Sequence, residues 1–248
     1  MFQFFVDKSQ IAAEEGLAYI NGADVNHICN VLRMKAGEQF YVTDGESTCK
    51  YLCALKAATE EQVICEILRN VTESSELPCE IVLYQGLPKA DKMELIIQKA
   101  VELGASRIVP VAMKRSVVKL DAKKAEAKIS RWQGIAEAAA KQSKRDVIPK
   151  IDKLMTLKEA LKEAAELEVS LMPYENAEGM EATRRLLGGI RPGQRVAIFI
   201  GPEGGFDDSE VEAALSMGTK PVTLGRRILR TETAGLAVLS MLVYVLEA

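Results

Sequence analysis

Between Thr72 and Pro78 the hydrophobic rhythm of the chain changes, and that change limits the folds open to it. Before it, apolar residues come in short β-like runs: Phe2–Val6, Gln39–Asp44, Tyr51–Lys56 and Gln62–Arg69. The turn signals Asn21-Gly22, Ala36-Gly37 and Asp44-Gly45 separate them. One helical stretch, Asp24–Met34, fits between, with Asp24 as its N-cap. This is the pattern of a small β-barrel with an inserted helix. After Pro78 strand, loop and helix alternate. Strands are expected at Glu80–Gln85, Arg107–Met113, Glu168–Met172, Arg195–Ile200 and Lys220–Leu224. Helices are expected at Asp91–Leu103, Lys123–Lys144, Asp207–Met217 and Glu232–Leu246, with Gly104 and Gly218 as stops. Such alternation predicts an α/β layer with a largely parallel sheet. Thr72–Pro78 reads as a linker, giving domains over residues 1–72 and 73–248.

With 48% hydrophobic and 27% charged residues the chain has globular composition. No apolar run reaches the roughly 18 residues needed to cross a bilayer. The start, Met1–Asp7, lacks the pattern of a signal peptide. A soluble cytoplasmic protein with no membrane role is expected. The five cysteines include no CxxC pair, and there is a single histidine, His27. That disfavours a disulfide framework, and no metal site is expected.

A formal net charge of −3 conceals an asymmetry. Residues 1–72 hold 6 Lys+Arg against 10 Asp+Glu, whereas residues 110–150 hold 11 against 4. A polyanionic partner explains a basic segment in an acidic chain, and so does a solvated helix face.

Two loops carry the chemistry signals. In Ile198–Phe206 an apolar strand runs into Gly201-Pro202-Glu203-Gly204-Gly205 and then a capped helix. Ligands of open α/β sheets bind outside the carboxyl ends of strands, where glycines open the backbone to them. The loop is neither a GxGxxG fingerprint nor a Walker motif, and alone it also suits a tight turn. In Leu224–Gly235 a strand ends at Gly225, and Arg226, Arg227 and Arg230 precede an apolar helix. Buried arginines call for an anionic partner, while Thr231 and Glu232 also suit helix capping. Leu171–Glu175 is a third strand end.

The segments KMELIIQKAVELGASRIVPV, EAAAKQSKRDVIP, LMPYE, IGPEGGF and LGRRILRTETA, with HICNVLRMKAGE and VTDGE upstream, resemble one family over essentially the whole chain. The chain is similar to the RsmE family of the SPOUT superfamily, which methylates N3 of a uridine in bacterial small-subunit ribosomal RNA. The resemblance implies a PUA-like RNA-binding barrel over 1–72 and a SPOUT methyltransferase domain over 73–248. It also implies a deep trefoil knot near the C-terminus, a homodimer, S-adenosylmethionine as methyl donor and 16S rRNA as partner. Carried over, the donor-binding positions are Leu171, Pro173, Glu175, Ile200, Gly201, Pro202, Glu203, Gly204, Gly205, Leu224, Gly225, Ile228, Leu229, Arg230 and Thr231. At the start, Met1-Phe2-Gln3-Phe4 lacks the arginine usual in the family.

Uridine N3 must lose a proton before it attacks a methyl group. Arg230 is the candidate for the base or its developing oxyanion. Glu232 is the candidate general base, or the group that orients Arg230. His27, Arg33, Lys114, Arg115, Gln142 and Arg145 are candidate RNA contacts. The alternatives are a SPOUT methylase for another RNA and a non-catalytic ribosome assembly factor. A metabolic enzyme in an open α/β sheet is a third, disfavoured by the missing nucleotide fingerprints.

Overall fold

A computed structural model describes residues 1–175, 177 and 179–247. The chain forms two compact units: Met1–Glu76 with Ala140–Ile148, and Leu77–Ala139 with Pro149–Ala248. The units meet at 76/77 where a linear division was expected at 72/73, and a later segment joins the first unit. Residues 140–148 pack in the first unit, because their polar groups are satisfied there.

The first unit is a six-stranded sheet: β1 (Gln3–Phe5), β2 (Ile11–Ala12), β3 (Leu17–Asn21), β4 (Gln39–Thr43), β5 (Lys50–Ala58) and β6 (Gln62–Val71). Their spatial order is β1-β4-β5-β6-β3-β2, with β1–β4 parallel and the other pairs antiparallel. The expected helix is split into α1 (Ala23–Asn26) and a π-turn over His27–Val31. Its N-cap is Gly22, and Asp24 instead holds the Lys141 ammonium at 2.7 Å. Inward-facing Phe4, Ile20, Ile28, Phe40, Val42, Cys53, Val63 and Cys65 make the core. All five cysteines are unbridged, and burial pushes the Cys53 and Cys65 thiols up to about 12.

Charge also organises this unit. Asp146 is fully buried, and its carboxylate accepts from Lys50 Nζ at 2.6 Å, Ser74 Oγ at 2.9 Å and the Ser75 N–H at 2.9 Å. The Glu76 carboxylate accepts from the Asp146 and Val147 N–H groups and pairs with the Arg145 guanidinium. Removing one partner of a buried pair costs about 3–5 kcal/mol, so this knot of charges fixes residues 140–148 in place.

The second unit carries a wholly parallel sheet of β7 (Glu80–Gly86), β8 (Arg107–Ala112), β9 (Lys150–Ile151), β10 (Met155–Thr156), β11 (Val169–Pro173), β12 (Arg195–Ile200) and β13 (Lys220–Val222). The order is β10-β8-β7-β12-β11-β13, with β9 also on β8. Its helices are α2 (Lys92–Glu102), α3 (Ala122–Ser143, up to Ala139 in this unit), α4 (Leu157–Ala164), α5 (Met180–Gly188), α6 (Asp208–Ser216) and α7 (Thr231–Leu246). Tyr84, Phe199, Val82 and Ala197 pack on one face with Leu157, Leu161, Val211 and Ala214 of α4 and α6. The alternate residues Ile81, Leu83, Ile108, Val196 and Ile198 are also fully buried, as befits a parallel sheet covered on both faces. Among the described residues no helix is long and apolar enough to cross a membrane.

Candidate functional site

Sheet order assembles the site. β12 pairs with β11 and β11 with β13, all parallel, so three carboxyl ends lie side by side. The loops 173–175, 201–205 and 223–230 leave from that one edge. The Tyr174 N–H donates to the Val222 carbonyl at 2.9 Å, tying the first loop to the third. Thr183 on α5, itself buried, holds Thr223 through both its N–H and its carbonyl.

Each expected donor-loop residue has a definite place. Leu171, Ile200 and Pro202 are buried beneath the loops; Pro173, Leu224, Leu229, Gly201, Gly205 and Gly225 are half-buried. Glu175 and Gly204 are exposed, and Ile228 is 86% exposed. Gly225 has φ +110°, and the space a Cβ would occupy there is open. The loops thus present backbone groups and apolar side chains at the carboxyl edge of the sheet. Among the described residues no group of three His, Cys, Asp or Glu side chains could hold a metal ion.

The start of α7 corrects two expectations. Arg226, Arg227 and Arg230 are exposed rather than buried, and none forms an ion pair among the described residues. Arg230 occupies the N-cap position, with no side-chain capping bond. Neither Thr231 nor Glu232 caps the helix. Thr231 is buried; its hydroxyl donates to the Gly201 carbonyl at 2.6 Å and accepts from Gln85 Nε2 at 2.9 Å. Glu232 Oε2 lies 3.2 Å from Lys92 Nζ, which also sits 3.1 Å from Glu203.

Two links thus tie α7 to the glycine loop. One is neutral and buried, Gln85–Thr231–Gly201; the other is ionic, Glu232–Lys92–Glu203. Both run through the segment from the end of β7 to the start of α2. Gly86 belongs to that segment, and a Cβ there would lie 2.8 Å from Pro202 N and Cδ. The Glu203 carboxylate raises the Lys92 ammonium above its ordinary value. Burial works against ionisation of Glu203, yet backbone N–H groups, including that of Lys89, and the Lys92 ammonium hold its carboxyl below the ordinary range.

Lys92, Gln85 and Thr183 escaped the sequence reading. A lysine opening a helix has no local signal, and its partners lie far along the chain. Of the expected RNA contacts Lys114 and Arg115, Arg115 braces the same loop and Lys114 the start of α6 that follows it. Lys114 Nζ donates to Ser209 Oγ at 2.5 Å and Asp207 Oδ1 at 3.3 Å, and Arg115 Nη1 donates to the Gly204 carbonyl at 3.3 Å. The Ser209 hydroxyl and Lys114 hold the Asp207 carboxyl below its usual range.

The remaining expected RNA contacts lie in the first unit. His27, Arg33 and Gln142 are exposed. Arg145 is corrected: it is 4% exposed and its guanidinium serves Glu76 inside the unit. In the second unit a cavity of about 490 Å³ is bordered by Arg107, Lys150, Asp152 and Glu163. Arg107 already pairs with Asp152 and Glu163, and Lys150 with Asp152.

Comparison with known proteins agrees with this layout. Residues 75–243 match the RNA methyltransferase domain family, and residues 20–68 match the RNA methyltransferase PUA domain family. The chain is 36% identical to Ribosomal RNA small subunit methyltransferase E of Bacillus subtilis (strain 168), covering 100% of this chain and 98% of the relative. It is 34% identical to the protein of the same name from Mesomycoplasma hyopneumoniae (strain 232), over 97% of this chain and 98% of that one. The crystal structure of a Ribosomal RNA small subunit methyltransferase E from Neisseria gonorrhoeae, bound to S-adenosyl methionine, superposes with a TM-score of 0.82 at 32% identity, covering 97% and 95% of the two chains. A six-stranded mostly antiparallel sheet, a parallel sheet with three loops at one edge, and full-length likeness to these relatives together place the chain in the ribosomal RNA small subunit methyltransferase E family.

Proposed function

We propose that this protein transfers a methyl group from S-adenosylmethionine to N3 of a uridine in 16S rRNA within the small ribosomal subunit. The observation that carries the reading is the convergence of loops 173–175, 201–205 and 223–230 on one sheet edge, beside Arg230 and the Lys92-held Glu232. Its support is the S-adenosyl methionine bound by the Neisseria gonorrhoeae relative.

The donor supplies an electrophilic methyl group when bound. The chain supplies position and charge. Leu171, Pro173, Ile200, Leu224, Ile228, Leu229 and the backbone of Gly201–Gly205 and Gly225 are the donor's cradle, with Glu175, Glu203 and Thr231 at its rim. Arg230, exposed at the positive end of α7, faces a substrate that becomes anionic as N3 loses its proton. Glu232 is the carboxylate nearest to that arginine in sequence and takes the proton, or holds Arg230 in place. Aligning methyl and N3 contributes several orders of magnitude in rate.

The same reading makes the first unit a PUA-like RNA-docking barrel and the second a SPOUT domain with a trefoil knot, in a cytoplasmic homodimer. Incubation with radiolabelled S-adenosylmethionine and small subunits lacking the modification, followed by nucleoside analysis, tests it. N3-methyluridine is the expected product. A different methylated nucleoside overturns the target atom, and absence of both transfer and donor binding favours an assembly factor.

A further inference from the structure

In the first unit, β1, the π-turn and the end of α3 enclose a cavity of about 350 Å³. Phe2, Phe4, His27, Lys141, Gln142 and Lys144 border it. Only His27 falls within residues 20–68, the part matched as a PUA domain, so this cavity is largely built from residues outside that match. Its volume lies in the range of sites for small ligands.

We propose that this cavity takes one unpaired nucleotide of single-stranded RNA, its base stacked on Phe2 and its phosphate held by Lys144. The proposal rests on the RNA-directed function above. Phe2 is 49% exposed, an aromatic face open to solvent beside cationic side chains. Aromatic platforms flanked by positive charge hold unpaired bases, whereas duplexes offer no splayed base to stack.

The charges are sorted for such a ligand. Asp24 neutralises Lys141, whose ammonium also sits 5.6 Å from the centre of the Phe4 ring. The His27 ring meets the same phenylalanine at 6.4 Å. Lys144 makes no ion pair among the described residues. It sits at φ 59°, a conformation costly for lysine that glycine adopts freely at helix ends, so that turn holds a cation where a glycine would be less strained. Gln3, buried beside the cavity, donates Nε2 to the Arg145 carbonyl at 2.5 Å, and its Oε1 has no donor among the described residues.

The test titrates the full-length protein into a single strand of about ten nucleotides carrying one 2-aminopurine, and into a duplex of the same length. Wild type should quench the 2-aminopurine and prefer the single strand. Phe2→Ala, which removes a half-exposed ring, should abolish the quench and weaken single-strand binding by about tenfold, leaving duplex binding unchanged. Phe2→Trp should restore the quench. Lys144→Gln should lower the slope of log affinity against log salt by about 0.7, and Lys119→Gln should be a neutral control. A Phe2→Ala protein that still quenches and binds within about twofold of wild type overturns the proposal. If wild type methylates small subunits but never quenches the probe, the nucleotide site falls and the methylase reading stands. Quenching that depends on Phe2, with no methyl transfer, has the opposite meaning.

Discussion

Arg230 stands at the N-cap of α7 without a bond to the helix it opens, and its guanidinium has no carboxylate partner among the described residues. An arginine so uncommitted is available to substrate. Arg230→Ala should therefore lower methyl transfer by about 10²–10³ while donor affinity, measured by calorimetry, stays within a few fold. Equal loss of donor affinity would move Arg230 into the donor cradle. Glu168 contrasts with it. The Arg195 guanidinium donates to both Glu168 carboxylate oxygens, at 2.8 and 3.2 Å, and holds the carboxyl down to about 2. The folded value lies below the unfolded one of about 4.3, so its stabilisation is present above pH 4.3 and lost as pH falls toward 2. Urea unfolding of wild type and Glu168→Gln should differ above that window and converge at its acid end, with a smaller difference in high salt because the pair is exposed. Local residue chemistry was partly legible: the helix after the glycine loop is capped as expected, by an Asp207–Glu210 capping box. The burial of Arg145 was not, because its carboxylate partner, Glu76, lies in the expected linker.

At the scale of elements, strands with local hydrophobic signatures were legible, and β12 has the predicted limits, Arg195–Ile200. The two-residue strands β2, β9 and β10 were not, since so short a run has no period, and the five-residue β3, Leu17–Asn21, was missed too. Helices α4 and α5 lie in charged stretches and were missed as well, although α4 buries the helical stripe Leu157, Ala160, Leu161 and Ala164. The site was legible wherever a strand end and its glycines are contiguous in sequence. It was illegible where β7 and α2 reach it, because that approach is set by sheet order. Gly86 tests this approach. Gly86→Ala places a Cβ 2.8 Å from Pro202 N, with no flexible end to give way on that backbone side. Chemical denaturation should show about 1–3 kcal/mol of destabilisation, together with weaker S-adenosylmethionine binding. Gly188→Ala, whose Cβ meets nothing within 4 Å, should change neither by much.

At the scale of the molecule, α7 is apolar nearly throughout, yet Tyr244 is 79% exposed on it. Leu95 on α2, which packs with α7, and Ile228 in the loop before it are exposed too. These are the residues a homodimer would cover. Light scattering at micromolar concentration should give twice the chain mass, and Tyr244→Lys should shift it toward the single-chain value without loss of helix by circular dichroism.

Asp146 gives the first unit a history as well as a shape. Its partners Lys50, Ser74 and Ser75 are made first, and about 70 residues of other chain follow before the aspartate itself is synthesised. At ribosomal speeds of about 5–20 residues per second, that wait is roughly 4–14 s. During it, Lys50 has no buried counter-charge, and β1 lacks the Arg145 carbonyl that Gln3 will grip. The nascent six-stranded sheet should therefore stay protease-sensitive while Leu77–Ala139 of the second unit is translated, and a translation pause before residue 140 should prolong that exposure.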